Sequence, residues 1–537
     1  MTDYYWRRHG KLIDLNIQPI KNGGNCFDDV LHTVTNWYGL DFRMVHAEGL
    51  KFSFHPASLD KPTLGMRMQL DFQSAFGLME TFHGLRMRLH RQLPPQEAIR
   101  LLEEQLGSGH PVIFALDDHY NPWSPNFGLR HDAQHMMIAI GFDPETRGLL
   151  CIDPFFEREK SMLSYNLFEQ GFDRCITVEP VEPAVKDSTS VLDRLREFVR
   201  GELDQRITEA GMQALAEALP GLRLEEETRG CATFGHCLLF VSLGALIMAR
   251  RNYALMLHYV AEATDKPSLS TVADECDQLV NRWTVIRGHL TKLYSQSRHG
   301  KDNAAAQDAL TSQMAEKIHS ASKAEIQMLE TLYDLLGKAD RMVEAREAVK
   351  TSNVEMLAAQ HWVHVDLIPY FHTRAIENDA DTADIDGEGY HFARGPAPHG
   401  VLSLADMSFA FPARELDDYD SLLCEGQVID LPAEPSKGIM LLGCSSFGDY
   451  QAMLTVAFDD KSTLDLKFGF SDWWTHTPVD GEIIAWRSKA MRRGMGELPT
   501  ETNLYAKKIS FSAVRTPVRL HLPDLSNIHL FGLTLWR

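Results

Sequence analysis

Cys26, His135 and Asp153 are three residues whose types would together support nucleophilic acyl chemistry. A thiolate is a good nucleophile only when something stabilises it, and a helix N-terminus does so through its free backbone N–H groups and positive dipole end. Cys26 is placed for that. In NGGNCFDDVLHTVTNWYGL a two-glycine loop runs into the cysteine, and Val30, Leu31, Val34, Trp37 and Tyr38 then give an apolar helical face that Gly39 ends. Asp28 and Asp29 complement the first-turn dipole, yet their charge opposes thiolate formation if it is aimed at the sulfur. The nucleophile also needs a base, and the base needs a group to orient it. His135 and Asp153 fit those two roles. Three plainer readings stay open: Cys26 as a small buried thiol, His131 of RHDAQH as the histidine that matters, and Asp153 as a cap for the turn at DPFF.

The elements that must hold these residues are legible. HPVIFALDDHY, QHMMIAIGFD and GLLCIDPFF are apolar runs of strand length, and the turn-like PETR between the last two predicts a hairpin. His135 enters one of those strands and Asp153 ends the other. A simple register sets Asp153 opposite about Ile138, so the pairing requires a bulge or a diagonal approach. PPQEAIRLLEEQLGSGHP is an amphipathic helix, with Ala98, Ile99, Leu101, Leu102 and Leu106 on its apolar side. A cysteine on a helix first, then a histidine and an aspartate on later paired strands, is the papain-type order.

The chain of 537 residues suggests three or four cores at roughly 150 residues per domain. Residues 1–185 read as α+β. After PVEPAVKDSTS, taken as a linker, residues 190–375 carry helical periodicity, and HCLLFVSLGALIMA is too short for a membrane span. After the acidic NDADTADIDGEGY, residues 395–537 alternate short strands and turns, the pattern of an antiparallel β-sandwich. The fold class is therefore multidomain α+β.

A net charge of −21 argues against broad nucleic-acid binding, which needs a basic surface. Arg86, Arg88 and Arg91 of RMRLHRQ form a local basic patch, read as a solvated face or a docking site. The N-terminus lacks a signal-peptide core and no run is long enough to span a membrane, so a cytoplasmic location is expected. The eight cysteines form no CxxC pair, so neither a structural metal nor a disulfide framework is expected.

NGGNCFDDVLHTVTNWYGL, EGLKFSFHP, HPVIFALDDHYNPWSP, HDAQHMMIAIGFD and LLCIDPFF, in that succession, resemble the N-terminal domain of the butirosin biosynthesis protein H-like family over roughly residues 18–180. The resemblance implies a papain-like fold and an acyltransferase that takes an acyl group from the phosphopantetheine thioester of an acyl carrier protein and passes it to an amine of a natural-product intermediate. It makes Cys26 the acyl-accepting nucleophile, His135 the base and acid, and Asp153 the orienting residue. It places Asp117 and Tyr120, with Trp123, along the acyl pocket, although DDHYNPW departs from the family at His119 and Asn121. The N–H of Cys26 is one oxyanion donor, and Gln18, Asn22 or Asn25 supplies the second, with Asn25 and Gln18 preferred. The last segment resembles galactose-binding-like sandwiches, in which Trp473 and Trp474 are either a stacking platform for sugar or core. The helical segment resembles the domain that often accompanies the first, and covering the site or forming a homodimer are roles open to it. A papain-type peptidase, amidase or thioesterase, and a non-catalytic carbohydrate-binding or scaffold protein, are the alternatives.

Overall fold

The computed structural model describes residues 12–21, 25–70, 74–124, 126–131, 135–156, 158–298, 304–337, 362–377, 383–395, 400–404, 406–411, 419–474, 478 and 481–537. It consists of mixed helices and sheets ending in a β-sandwich.

In the first part, α1 (Cys26–Trp37) and α2 (Pro95–Gly107) lie with an antiparallel sheet of β1 (Leu85–Arg91), β2 (Val112–Leu116), β3 (His135–Asp143), β4 (Gly148–Asp153), β5 (Arg158–Ser164) and β6 (Phe172–Pro180). The strand order is β1-β6-β2-β3-β4-β5, and the short strand Ile13–Asp14 pairs with the far end of β3. Side chains alternate between two cores, as strand periodicity requires. Ile138, Ile140, Leu150 and Ile152 meet Val30, Leu31 and Val34 of α1, while Met137, Ala139 and Cys151 meet Ala98, Leu102 and Leu106 of α2.

The hairpin of β3 and β4 is irregular at one point. Asp143 faces Gly148, Phe142 faces Leu149 and Gly141 faces Leu150; beyond that, Ala139 faces Cys151 and Ile138 faces Ile152, so Ile140 is an extra residue. A one-residue slip moves every later side chain to the other face. Without it, Asp153 would stand opposite Ile138, on the face away from His135. With it, Asp153 falls beside Met137 and shares a face with His135, one diagonal step away. Gly141 borders this bulge because a Cβ there would meet the Ile13 carbonyl oxygen at 1.9 Å.

The helical part comprises α3 (Ser188–Gln205), α4 (Ile207–Ala218), α5 (Leu238–Ala263), α6 (Ser268–Arg298) and α7 (Ala304–Leu336). The stretch read as a linker is a bound strap. The Val181 N–H donates to the Gly84 carbonyl at 2.7 Å and the Val185 N–H to the Thr81 carbonyl at 3.0 Å, and Asp187 then caps α3. Gly84 (φ +66) lets the strap close in, since a Cβ would meet the Val181 oxygen at 2.4 Å. Met44, Leu50, Phe52, Leu64, Leu78 and Phe82 from the first part fill helical cores, so the boundary near residue 185 separates chain segments but not cores. Among the described residues, α5 is the one helix long and apolar enough to cross a membrane (mean hydropathy 1.3), and half of its apolar window is buried within the protein. Its Arg250, fully buried, donates to Glu325 of α7 at 2.9 and 3.1 Å and to the Leu50 carbonyl at 3.1 Å.

The sandwich begins earlier than residue 395. The strand β7 (Trp362–Val365) pairs with the last strand of the chain, inside the stretch assigned to helices from sequence. The remaining long strands are β8 (Ser436–Ser445), β9 (Tyr450–Phe458), β10 (Thr463–Phe470), β11 (Ile483–Arg492), β12 (Gly496–Arg515), β13 (Pro517–His521) and β14 (Asp524–Trp536). One sheet runs β7-β14-β8-β12-β11, and β9, β10 and β13 belong to the other. Trp473 is wholly buried, 5.0 Å from the Phe392 ring, so it is core and not a platform for sugar; Trp474 is half-buried against Tyr390. α6 seats on this domain: Leu525 touches Gly288, the Arg287 guanidinium donates to the Tyr450 hydroxyl at 3.0 Å, and His289 lies 3.2 Å from Asp524.

Candidate active site

Cys26 is the first residue of α1, and Asn25 caps the helix from extended backbone. The cap satisfies one N–H of the first turn, where no carbonyl four residues back exists to accept a bond. The Asn25 Oδ1 accepts from the Asp28 N–H at 2.9 Å and its Nδ2 donates to Asp28 Oδ2 at 2.8 Å. Asp28 is buried and also accepts from Asn252 Nδ2 of α5 at 2.6 Å, with His46 Nε2 at 3.9 Å from its other oxygen. Burial holds the His46 imidazole below its ordinary pKa despite Asp28, so it adds no charge at neutral pH. The Asp28 carboxylate thus accepts from two amides, one from the cap and one from α5, which fix its position beside the first turn of α1.

His135 opens β3 and Asp153 closes β4. Their side chains meet at 2.7 Å, His135 Nε2 to Asp153 Oδ2, with His135 7% exposed and Asp153 fully buried. Asp153 has two further donors: Trp123 Nε1 at 3.0 Å on the same oxygen and the Phe156 N–H at 3.2 Å on the other. Nε2 is therefore taken, leaving Nδ1 for the hydrogen bond that joins the imidazole to Cys26. Burial alone would lower the His135 pKa. The hydrogen bonds to Asp153 and Cys26, and the charges they carry, outweigh it and push His135 up to about 10. The Phe155 and Phe156 rings, 5.7 and 4.8 Å from the imidazole, cover it.

The other predicted residues fall in three places. His131 does not compete for Asp153: it is exposed, 2.7 Å from Asp117 Oδ2, and stacked on His119 at 4.2 Å. Asp117 also caps the turn that follows it through the His119 N–H, and Tyr120 packs on Gly171. Trp123, expected to line the pocket, instead holds the triad carboxylate. For the second oxyanion donor, Asn25 has its amide committed to Asp28, and Gln18 is exposed on a segment whose Ile20 is tied to Thr33 of α1 at 3.0 Å. Asn22 lies outside the described residues. Arg86 and Arg88 of the basic patch lie beside Glu80 and Glu179, so much of their charge is offset. All eight cysteines are free, and burial pushes the thiols of Cys151, Cys175, Cys231, Cys237, Cys276, Cys424 and Cys444 up, whereas Cys26 is half-buried at a helix start and joined to His135.

Sequence reasoning missed Asn252, which sits 224 residues from its partner in a different segment and carries no local signal. It also missed His258, Asp274 and Asp277 on α5 and α6, whose ligand atoms lie within 4.8 Å of one another; none of them belongs to the triad.

One family model, the AziU2-like beta-sandwich domain, matches residues 361–537. The match coincides with the strands from Trp362 onward and bears out a C-terminal β-sandwich, which starts before residue 395. No curated protein matches the chain.

Proposed function

We propose that the chain is a cysteine-dependent acyltransferase of natural-product biosynthesis, acting in the cytoplasm, whose first part is a papain-like domain. The observation that carries this reading is the imidazole of His135 held between Cys26 and the buried carboxylate of Asp153. The AziU2-like sandwich hints at natural-product biosynthesis and says nothing of the reaction.

In the reading we favour, Cys26 Sγ, paired as thiolate with imidazolium His135, attacks the carbonyl carbon of a carrier-protein thioester. The carbonyl electrons move onto oxygen beside the free N–H groups at the start of α1. Collapse breaks the carbon–sulfur bond to the phosphopantetheine, whose thiolate takes the proton from His135, and the acyl group stays on Cys26. An amine then attacks that thioester, neutral His135 accepts the amine proton, and collapse releases the amide and restores the ion pair. Water in place of the amine makes the same groups a thioesterase or amidase. The choice between acceptors lies in what surrounds the triad.

Intact-mass measurement after incubation with an acylated carrier protein tests this. The expected result is one acyl adduct on Cys26, absent in Cys26→Ala and formed but not turned over in His135→Ala. A protein that takes no acyl group from any thioester offered, yet cleaves peptides, is a peptidase; one that does neither and leaves Cys26 unalkylated is not an enzyme of this kind.

A further inference from the structure

A cavity of 890 Å³ opens between the helical part and the sandwich, lined by the segment 223–234, the last turns of α6, Gln307, Glu388 and the end of β11. Its volume is within the range of small-molecule sites, about 300–1,000 Å³. Its wall is polar, and four guanidiniums reach it: Arg223, Arg229 and Arg298 from the helical part and Arg492 from the sandwich. None of the four is ion-paired among the described residues. Elsewhere, arginines are commonly paired, as Arg43 is with Asp41, Arg194 with Glu197, Arg250 with Glu325 and Arg515 with Asp460. Unpaired arginines gathered at one cavity run against a composition of 74 acidic to 53 basic residues.

The same wall holds three acids against the four guanidiniums. Glu388 spends its carboxylate on the Phe234 N–H, and burial shifts it toward its neutral form against the pull of Arg492 and Arg298. Glu225 and Glu226, in the first turn of the short helix Leu224–Thr228, are exposed to solvent, so their fields are screened. Arg492, stacked on Tyr390 at 4.7 Å, is held in place on the opposite wall.

We propose that this cavity binds a small organic polyanion carrying two or more phosphate or carboxylate groups, bridged between Arg229 and Arg298 on one side and Arg492 on the other. Planar guanidiniums take both anions in bidentate fashion. The ligand ties the helical part to the sandwich. This inference does not depend on the acyl-transfer reading, because it involves no residue of the triad.

Calorimetric titration with pyrophosphate and, separately, citrate at fixed ionic strength tests it. The expected result is saturable binding of one or both, unaffected in Cys26→Ala and weakened by at least about tenfold in Arg229→Gln/Arg298→Gln, each arginine contributing charge-assisted hydrogen bonds. Both side chains are exposed, so the double variant is expected to keep its melting temperature. Arg492→Gln, on the other wall, gives an independent loss. Response to pyrophosphate alone marks a phosphorylated ligand, and to citrate alone a polycarboxylate. Absence of saturable binding for both anions, or equal affinity in wild type and both variants, overturns the proposal.

Discussion

Asp153→Asn is the most informative single change. Asn is nearly the same size, and with its amide oxygen in the Oδ2 position it still accepts from Trp123 and His135, so the change removes the charge and the one hydrogen bond from the Phe156 N–H. In the native protein His135 is raised from 6.5 to about 10 against the effect of its own burial, and the hydrogen bond to Asp153 contributes most to that rise. That distance corresponds to roughly 5 kcal/mol of preference for the charged imidazole at about 1.4 kcal/mol per pH unit. If Asp153 supplies half of it, the proton affinity of His135, and with it the equilibrium constant for the thiolate–imidazolium pair over the neutral pair, falls by a factor of roughly 50. The assay is the rate of Cys26 alkylation by iodoacetamide at pH 7, followed by intact mass, alongside acyl turnover. We expect alkylation to slow by at least about tenfold and turnover by about 100-fold, the size of an acid–base contribution. A folded Asp153→Asn protein that alkylates within twofold of wild type would refute the assignment of Asp153 as the group that charges His135.

Three further outcomes follow from the same contacts. Asn252→Ala removes a donor from a buried carboxylate, costing about 1.5–3 kcal/mol of stability in urea melts; it should also slow Cys26 alkylation several-fold, with Asn252→Ser restoring part of the rate. Arg250→Met strands Glu325 in the core and should cost about 3–5 kcal/mol, most of it recovered in Arg250→Met/Glu325→Leu, as urea midpoints will show. Because the folded-state pKa of His135 lies above its ordinary 6.5, its stabilising contribution is complete below pH 6.5 and is lost as pH rises towards about 10. The melting-temperature difference between wild type and His135→Gln should therefore shrink across that window; a constant difference would count against the raised value.

The helix at Cys26, the strands carrying His135 and Asp153, and the sandwich were all legible because each depends on local periodicity: 3.6 residues for α1 and α2, two for β3 and β4. Other features were not. The bulge at Ile140, which decides whether Asp153 faces His135 at all, has no local signature in HMMIAIGFD; it lies where the start of the chain approaches the strand at Gly141. The placement of Met44–Phe82 in helical cores and the start of the sandwich at Trp362 depend on partners more than a hundred residues away. Trp123 looked like an apolar wall because its indole N–H is invisible to hydropathy until a carboxylate stands 3.0 Å from it.

Those long-range contacts converge on the start of α1. The helical part reaches it through Asn252 and Asp28, and the same α5 presents Arg251 to Asp449 of the sandwich. Asp449 is also close enough to Lys21, on the approach to Cys26, for the ammonium to pull against the effect of its burial. The segment before Cys26 therefore lies within electrostatic reach of the sandwich, and α1 within hydrogen-bond reach of the helices. A triad alone supports transfer and hydrolysis equally, since His135 accepts a proton from an amine or from water by the same step. What separates the two is exclusion of water and positioning of the acceptor, and besides Phe155 and Phe156 of the first part the groups within reach of the start of α1 include Asn252 of the helices and Asp449 of the sandwich. Transfer should accordingly be lost to hydrolysis first by changes at these junctions, with Asp449→Asn raising the ratio of released acid to amide while the acyl adduct on Cys26 still forms; an unchanged ratio would return the choice of acceptor to the first domain.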